Sequence, residues 1–526
     1  MIVDSLRRQR SGSKSYGVCE ISDITVLVGP NNAGKTQTLR DIRNLLTSGQ
    51  DPVIFDSLTY AQPDSLSTYL EQLFVINDGD AVTVAGQADQ RVSVDASTWK
   101  RWRTEEIHVP TDEVLETLGP VIVQFLDAAS RLQLATNTAV SSDTPRRDPQ
   151  NMSLALLYRE SELFETFRDL FMEMFQVQPV LDYSEQGRIQ ICVGETDSSP
   201  PKHPRDLRKF IQTNDFVPLD ETGDGFLSLA GVVGSLLTSQ GQLMLLDEPS
   251  AFLHPAQARR LGEWIAETGP SHTEQVVLTT HNANFLNGIL DATTDVTIHR
   301  LNRGSETTTF HKVSREVAQQ IVSEPILRSQ RILEAAFRQG AIVCEGGTDR
   351  ATYETVARMI HDETNIQFID SIGKGKIDSI AEVLARANIP VATIVDFDVF
   401  KDVSEFNRIM RATGGGLGNN EVQHVLQDFN EIKSEVNNDR FDDGLESLSP
   451  EHRQIVENAI DRASQYHVYV VPSGAVESWI DLDQSKSYWI DEALEMIANG
   501  DCPDNLKRFT DDILGDVCTQ YHTSDE

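Results

Sequence analysis

One segment constrains this chain more than any other: Gly29-Pro30-Asn31-Asn32-Ala33-Gly34-Lys35-Thr36. It satisfies GxxxxGK[ST] at every fixed position. It also lies between a short apolar run, Ile24–Val28, and a helical pattern that begins near Lys35 and closes at Asn44–Leu46. Strand, glycine-rich loop and helix in that order give the motif its physical meaning. Backbone N–H groups of the loop and of the helix N-terminus converge on one spot and bind anions. Asn32 and Gly34 lie in that cradle, Lys35 reaches toward β- and γ-phosphates, and Thr36 is placed to hold Mg²⁺. The expectation is an α/β fold that binds ATP.

A second strand carries acids. Leu243-Met244-Leu245-Leu246 is an apolar run ending in Asp247-Glu248-Pro249. A buried strand has no structural need for two adjacent carboxylates at its end. Asp247 is placed to bind Mg²⁺, directly or through water, and Glu248 to polarise an attacking water. Val276–Thr280 is a further apolar strand, ending in His281, which can sense a γ-phosphate. Alone, such a histidine is more often a satisfied core residue; after the two preceding motifs the functional reading is the stronger.

Three motifs in this order resemble the ABC ATPase superfamily. The long irregular stretch between Gly49 and Gly223 is similar to the RecF/Rad50/SMC-like branch, not to transporters. The resemblance implies a signature loop before the acidic strand, capping ATP on a partner subunit. Thr222-Gly223-Asp224-Gly225 occupies that position, ahead of the helical run Phe226–Leu237. Thr222 stands where serine is usual and Asp224 where a second glycine is usual. Gly223 and Gly225 still permit close backbone approach to a phosphate. An aspartate facing phosphate is unfavourable unless Mg²⁺ or a helix N-terminus compensates, which argues for binding over fast hydrolysis. Ser250–Pro255 takes the place of the D-loop, implying a head-to-tail ATPase pair.

Further along, Ala341–Cys344 leads into Glu345-Gly346-Gly347-Thr348-Asp349, and Val391–Val395 ends in Asp396-Phe397-Asp398. Strand alternation puts Asp396 and Asp398 on one side. Carboxylates gathered at the ends of neighbouring parallel strands make an oxygen-rich site for Mg²⁺ or Mn²⁺. These residues resemble the Toprim fold of primases, topoisomerases and some nucleases. Ser371-Ile372-Gly373-Lys374-Gly375-Lys376 is similar to its glycine-rich strand-to-helix loop, whose lysines either face phosphate or form an exposed basic turn.

An ABC ATPase followed by Toprim is the architecture of the OLD (overcoming lysogenization defect) family nucleases, which the chain resembles over nearly its whole length. The resemblance implies an ABC-type (RecF/Rad50/SMC-like) ATPase domain over 1–335, with an inserted helical and dimerisation region at about 51–220, and a Toprim α/β nuclease domain over 336–526. It implies a further acid, for which Glu477 in Gly474-Ala475-Val476-Glu477 fits after the strand Val468–Val471. It also implies a lysine at the scissile phosphate: Lys507 is the better match and Lys486 the weaker. The expected metal ligands are Glu345, Asp349, Asp396, Asp398 and Glu477, with Thr36 and Asp247 at the ATP site. Family members include antiviral effectors, some standing alone and some acting with a helicase or reverse transcriptase.

The remaining properties bound this reading. With 526 residues the chain exceeds one core, and 39% hydrophobic content suits a globular protein. No run reaches the ~18 apolar residues of a membrane helix, and the basic start lacks an apolar h-region. Scattered Cys19, Cys192, Cys344, Cys502 and Cys518 form neither a zinc pattern nor a disulfide framework, which suits the cytoplasm.

A net charge of −36 opposes passive, charge-driven DNA binding, or reflects adaptation to high salt. Local basic groups, Arg7, Arg8, Arg10 and Lys14, then Arg205, Arg208 and Lys209, are DNA contacts or solvated faces. The regions around the motifs read as a meander of strands over 51–110, mostly helix over 111–180 broken by the polar loop Ser141–Gln150, and a charged helical connector over 312–339.

The leading expectation is a nucleotide-regulated, Mg²⁺- or Mn²⁺-dependent DNA endonuclease, a homo-oligomer through its ATPase heads. The alternative is an ATP-dependent DNA clamp or sensor with a non-cleaving Toprim domain. A topoisomerase-like enzyme needs an activated tyrosine on a DNA-binding domain; Tyr353, Tyr466 and Tyr469 exist, but no additional domain is evident in the sequence to present one.

Overall fold

The structure is a computed structural model. It describes residues 2–9, 16–47, 51–73, 75–77, 80–85, 90–104, 111–135, 138–139, 160–185, 188–304, 307–327, 329–362, 364–371, 374–414, 423, 427, 444–482 and 486–523. The loop at 141–150 lies outside them. The chain packs as two compact units, Met1–Val28 with Gly34–His299, and Gly29–Ala33 with Arg300–Glu526. The division falls upstream of the connector at 312–339 on which the sequence places the boundary.

The first unit is built on parallel strands β1 (Ile24–Val28), β2 (Val123–Leu126), β3 (Leu243–Asp247) and β4 (Gln275–Thr279), in the order β1-β4-β3-β2. Their near-continuous apolar sequences reflect burial on both faces. Register pairs Asp247 with Thr279, Thr279 with Leu27, and Leu246 with Leu126. The four chains therefore leave the sheet along one edge, where open α/β sheets bind ligands.

The sequence reading takes 111–180 as helical and misses β2. Its four residues, Val123-Gln124-Phe125-Leu126, follow directly on the helix Thr111–Ile122. A short apolar run joined to a helix has no periodicity of its own to betray it. The expected meander is present as Val75–Asn77, Ala81–Ala85 and Arg91–Asp95, with helices Leu66–Gln72 and Ala96–Trp102 around it.

After β1 comes α1 (Lys35–Thr47), and after β2 comes α2 (Ala128–Leu134), capped by Asp127 and Ser130. The helix α3 (Asp224–Leu237) is apolar on all sides and almost wholly buried. It meets α2 at Gly231, where a Cβ would sit 2.3 Å from the Arg131 carbonyl oxygen, so only glycine permits this approach. Between β3 and β4 runs α4 (Pro255–His272), and α5 (Ala283–Ala292) follows β4.

The second unit carries an all-parallel sheet of β6 (Gly340–Cys344), β7 (Ile366–Asp370), β8 (Val391–Val395) and β9 (Val468–Val470), in the order β7-β6-β8-β9. Thr297–Arg303, β5, precedes it. Strand alternation divides the sheet between two cores. Ala341, Val343, Val391, Val395, Val468 and Val470 face one, with α7 (Ile377–Arg386) and α8 (Val403–Thr413). Ile342, Cys344, Ala392 and Ile394 face the other, with α6 (Gly347–Ile360) and α9 (Asp504–Thr523). Both faces being covered, function is left to the strand ends. Among the described residues no helix is long and apolar enough to cross a membrane, and all five cysteines are free thiols.

Candidate nucleotide and metal sites

At the edge of the first sheet, the loop turns through positive φ at Asn32 (64°) and Gly34 (100°) before α1 begins at Lys35. Lys35 is buried. Desolvation lowers its pKa, and Glu248 and Asp247 push it back up. Thr36 donates its hydroxyl to both Asp247 carboxylate oxygens, at 2.9 and 3.0 Å. Thr279 donates to Asp247 Oδ1 at 2.7 Å and accepts the Glu248 amide N–H at 3.0 Å. The structure thus gathers Lys35 and Thr36, Asp247 and Glu248, and Thr279 from three separate segments.

Glu248 itself is in the left-handed region, φ 51°. Its Oε2 accepts the His281 amide N–H at 3.1 Å and lies 2.8 Å from His281 Nδ1. That hydrogen bond raises the His281 pKa against the opposing effect of burial. The imidazole remains 62% exposed, so a ligand can reach it.

In the segment Thr222–Gly225, Gly223 is the N-cap of α3 and Asp224 its first residue. The compensation that an aspartate needs there, a helix N-terminus, is present. Gly225 lies against the Ser250–Pro255 segment: a Cβ would stand 3.0 Å from the Phe252 carbonyl oxygen. Phe252 has φ 69° and is 53% exposed.

Sequence reasoning missed Arg131. This wholly buried side chain on α2 donates to the main-chain carbonyls of Asp247 and Glu248. Nothing in the local sequence marks this contact, because the two carbonyls belong to residues more than a hundred positions away.

The second site forms where β6 and β8 end. One carboxylate oxygen each from Glu345, Asp396 and Asp398 lies within 4.8 Å of the others, all three half-buried. The Asp396 amide N–H points at Glu345 Oε2 over 3.4 Å. Strand alternation is not what aligns the two aspartates. β8 stops at Val395, Asp396 caps a 3₁₀ turn, and Asp398 lies inside it (Phe397–Lys401).

Asp349 stands outside this trio; its Oδ2 accepts the Gly346 N–H at 2.7 Å, as the third residue of α6. Glu477 lies in the short turn Val476–Trp479, also outside the trio. The Phe397 N–H donates to Gly474 O at 2.8 Å, so this segment borders the D-x-D turn. Trp479 anchors it: its Nε1–H donates to Tyr353 at 3.0 Å, and its ring is tilted against Phe509 with 5.2 Å between centroids.

Lys507 occupies the first turn of α9, half-buried, where it acts on the Cys502 thiol. The Lys486 and Lys374 side chains, and Gly373, lie outside the described residues, and Lys376 is exposed. Sequence reasoning also missed Arg350, whose Nε lies 2.9 Å from Asp370 Oδ1 at the end of β7. Tyr353 is fully buried, and burial raises its pKa well above the ordinary value. A tyrosine so placed is poorly suited to attack DNA. Tyr469, also raised by burial, shares that handicap.

Among the basic groups, Arg7 is exposed, Arg10 and Lys14 and the Arg8 side chain lie outside the described residues, and Arg205, Arg208 and Lys209 are exposed on the helix Pro204–Thr213. Arg208 is 3.8 Å from Glu185.

Residues 203–287 match the family described as "AAA domain, putative AbiEii toxin, Type IV TA system". Residues 337–398 match that described as "Overcoming lysogenization defect protein-like, TOPRIM domain". The first span includes Asp224, Asp247, Glu248 and His281, and the second includes Glu345, Asp349, Asp396 and Asp398. No curated protein matches the chain.

Among solved structures, an SMC head bound to the C-terminal winged-helix domain of ScpA is 13% identical, with a TM-score of 0.37 over 61% of this chain and 100% of that one. The SMC head domain from Thermotoga maritima is 13% identical, with a TM-score of 0.32 over 60% and 100%. In content and in order, the two family matches are those of an OLD-family fusion of an ATPase domain with a Toprim domain.

Proposed function

We propose that this chain is a nucleotide-regulated, divalent-metal-dependent DNA endonuclease of the OLD type that acts as an antiphage effector in the cytoplasm. The observation that carries the reading is the carboxylate trio Glu345, Asp396 and Asp398 at the ends of parallel Toprim strands. Two unit charges about 5 Å apart repel by roughly 3 kcal/mol at an effective dielectric near 20. Three such oxygens therefore favour a shared cation, and hard oxygen donors suit Mg²⁺ or Mn²⁺. When bound, such an ion supplies an acidified water and neutralises charge on a phosphodiester.

Glu345, Asp396 and Asp398 would hold it. Asp349 and Glu477, on the flanking turns, would complete a two-ion donor set. Lys507 would neutralise charge on the scissile phosphate. The Toprim nuclease domain is taken as 336–526 and the ATPase domain as 1–335. In the latter, Lys35 and Thr36 would bind the ATP phosphates and its Mg²⁺ with Asp247. Glu248 would accept a hydrogen bond from the attacking water, and His281 would turn toward the γ-phosphate. Gly223 and Gly225 would cap ATP on a second copy, giving a dimer or tetramer through the ATPase domains.

The test is a supercoiled-plasmid nicking assay across a Mn²⁺ titration. Wild type should cut only with divalent cation, and Glu345→Ala and Asp396→Ala should not cut. Lys507→Ala should cut slowly with metal affinity largely kept. Lys35→Ala should lose ATP binding yet leave any residual cutting metal-dependent. If Glu345→Ala and Asp396→Ala cut at the wild-type rate, the Toprim site is not the nuclease, and the non-cleaving clamp or sensor takes its place.

A further inference from the structure

Arg131 is 0% exposed, and every hydrogen bond it makes goes to an uncharged acceptor. Nη1 donates to Asp247 O at 2.5 Å and to Leu126 O at 3.3 Å, Nη2 to Glu248 O at 3.0 Å, and Nε to Ser228 Oγ at 3.3 Å. Burying a cation costs several kcal/mol, and a well-packed apolar side chain is often the more stable choice. Desolvation does act on this guanidinium, lowering its pKa, while Asp247, Asp127 and Glu248 offset the effect. A stability role is therefore a poor account of an arginine here.

Its fork spans consecutive carbonyls, those of Asp247 and Glu248. Glu248 adopts φ 51°, a conformation that L-residues rarely take unless their surroundings impose it. Thr279 holds the Glu248 amide at 3.0 Å from one side. Arg131 holds the carbonyl from the other, together with the Ala251 N–H at 3.0 Å. The direction of the Cα–Cβ bond, and with it the reach of the carboxylate, follows from these backbone restraints.

We propose that Arg131 is a positioning residue for ATP hydrolysis, clamping the Asp247 and Glu248 carbonyls so that the Glu248 carboxylate faces the site of the attacking water. The proposal rests on the reading of Glu248 as the water-polarising group. Displacing a reacting group by about 1 Å costs on the order of 10²-fold in rate. Ground-state binding of ATP, which depends on the phosphate loop and Lys35, is not routed through this clamp.

The experiment measures mant-ATP affinity and steady-state ATPase kinetics on the full chain for wild type, Arg131→Met, Arg131→Lys, Glu248→Gln and the double variant Arg131→Met/Glu248→Gln. Arg131→Met should bind mant-ATP within about threefold of wild type, keep KM, and lose on the order of 10²-fold in kcat. Arg131→Lys keeps the cation but not the fork, and should recover part of the rate. The double variant should be no slower than Glu248→Gln, because both changes disable one group.

Arg131→Met losing nucleotide affinity in step with kcat would overturn the proposal in favour of a structural role. So would unchanged kcat in Arg131→Met while Glu248→Gln is inactive. Wild-type turnover in Glu248→Gln would instead remove the underlying reading of Glu248. Should the methionine variant not fold, Arg131→Lys decides: about a tenfold fall in kcat at unchanged mant-ATP affinity supports the clamp, and unchanged kcat overturns it.

Discussion

Tyr353→Phe separates a hydrolytic Toprim site from one that uses a tyrosine nucleophile. The substitution removes one oxygen from a ring that is 0% exposed and leaves the ring's packing in place. What it breaks is the 3.0 Å hydrogen bond donated by Trp479 Nε1. Trp479 is itself only 6% exposed. The indole N–H is left in an apolar setting, with Phe509 on its ring at 5.2 Å.

Leaving a buried donor without its acceptor costs about 1–3 kcal/mol, more than the ~1 kcal/mol net worth of the bond. A domain of ordinary stability, about 5–15 kcal/mol, survives that loss. Urea unfolding followed by tryptophan fluorescence should therefore show a lower midpoint at unchanged slope. Plasmid nicking at 25 °C should stay within about twofold of wild type, since the Glu477 turn keeps its other anchors, the Phe509 ring against Trp479 and the Phe397 N–H on Gly474 O. Neither protein should leave DNA covalently attached after SDS quenching. A variant of wild-type stability that no longer cuts would refute this reasoning and make Tyr353 the nucleophile. An unchanged midpoint would refute the hydrogen-bond account alone.

Two further outcomes follow from the ATPase site. Glu248→Gln should retain mant-ATP binding, lose hydrolysis and lower the His281 pKa toward its ordinary 6.5, read by NMR titration of the ring. Because the folded-state pKa is raised, the contact's contribution to stability is complete below about pH 6.5 and fades as pH rises through the raised value, so the variant and wild type should converge in stability at alkaline pH. If the signature segment at Gly223 acts on a second copy, light scattering should find at least a dimer with ATP; a strict monomer with and without ATP would rule out shared sites.

The parts of the fold legible in the sequence are those whose burial is written along the chain itself. β1, β3, β4, β6 and β8 are continuous apolar runs, and their ends carry Gly29, Asp247, His281, Glu345 and Asp396. β2 was hidden because helix and strand share one apolar stretch there. Asp41 was hidden for a different reason. It sits in α1 among residues that read as an ordinary amphipathic helix, yet it is 0% exposed and accepts the N–H groups of Val53, Ile54 and Phe55. Arg131 is the same case with the charge reversed. The value of a buried polar residue is set by backbone atoms that only the tertiary fold delivers, and no local pattern records them. The reason Asp396 and Asp398 come together was misread for a related cause: a D-x-D pair looks like strand alternation, and only the backbone shows that the chain has already turned into a 3₁₀ helix.

A net charge of −36 and the two polyanionic ligands of the proposed reading are compatible once distance is considered. Solvent-exposed charges are screened over about 8 Å at physiological salt, so the acidic surface acts weakly on a phosphate already seated. At the ATP site the near field is set by Lys35, by the N-terminus of α1 and by Arg131 beneath the acids, each buried enough to escape much of that screening. At the Toprim site the near field of Glu345, Asp396 and Asp398 is anionic and would repel a phosphodiester. On the proposed reading, the same carboxylates that oppose DNA are what recruit the cation that accepts it. Attraction and chemistry then depend on one occupancy, and a chain this acidic engages DNA productively only where its metal is bound. Dispersed surface lysines and arginines, which confer affinity without cleavage, are not needed for that.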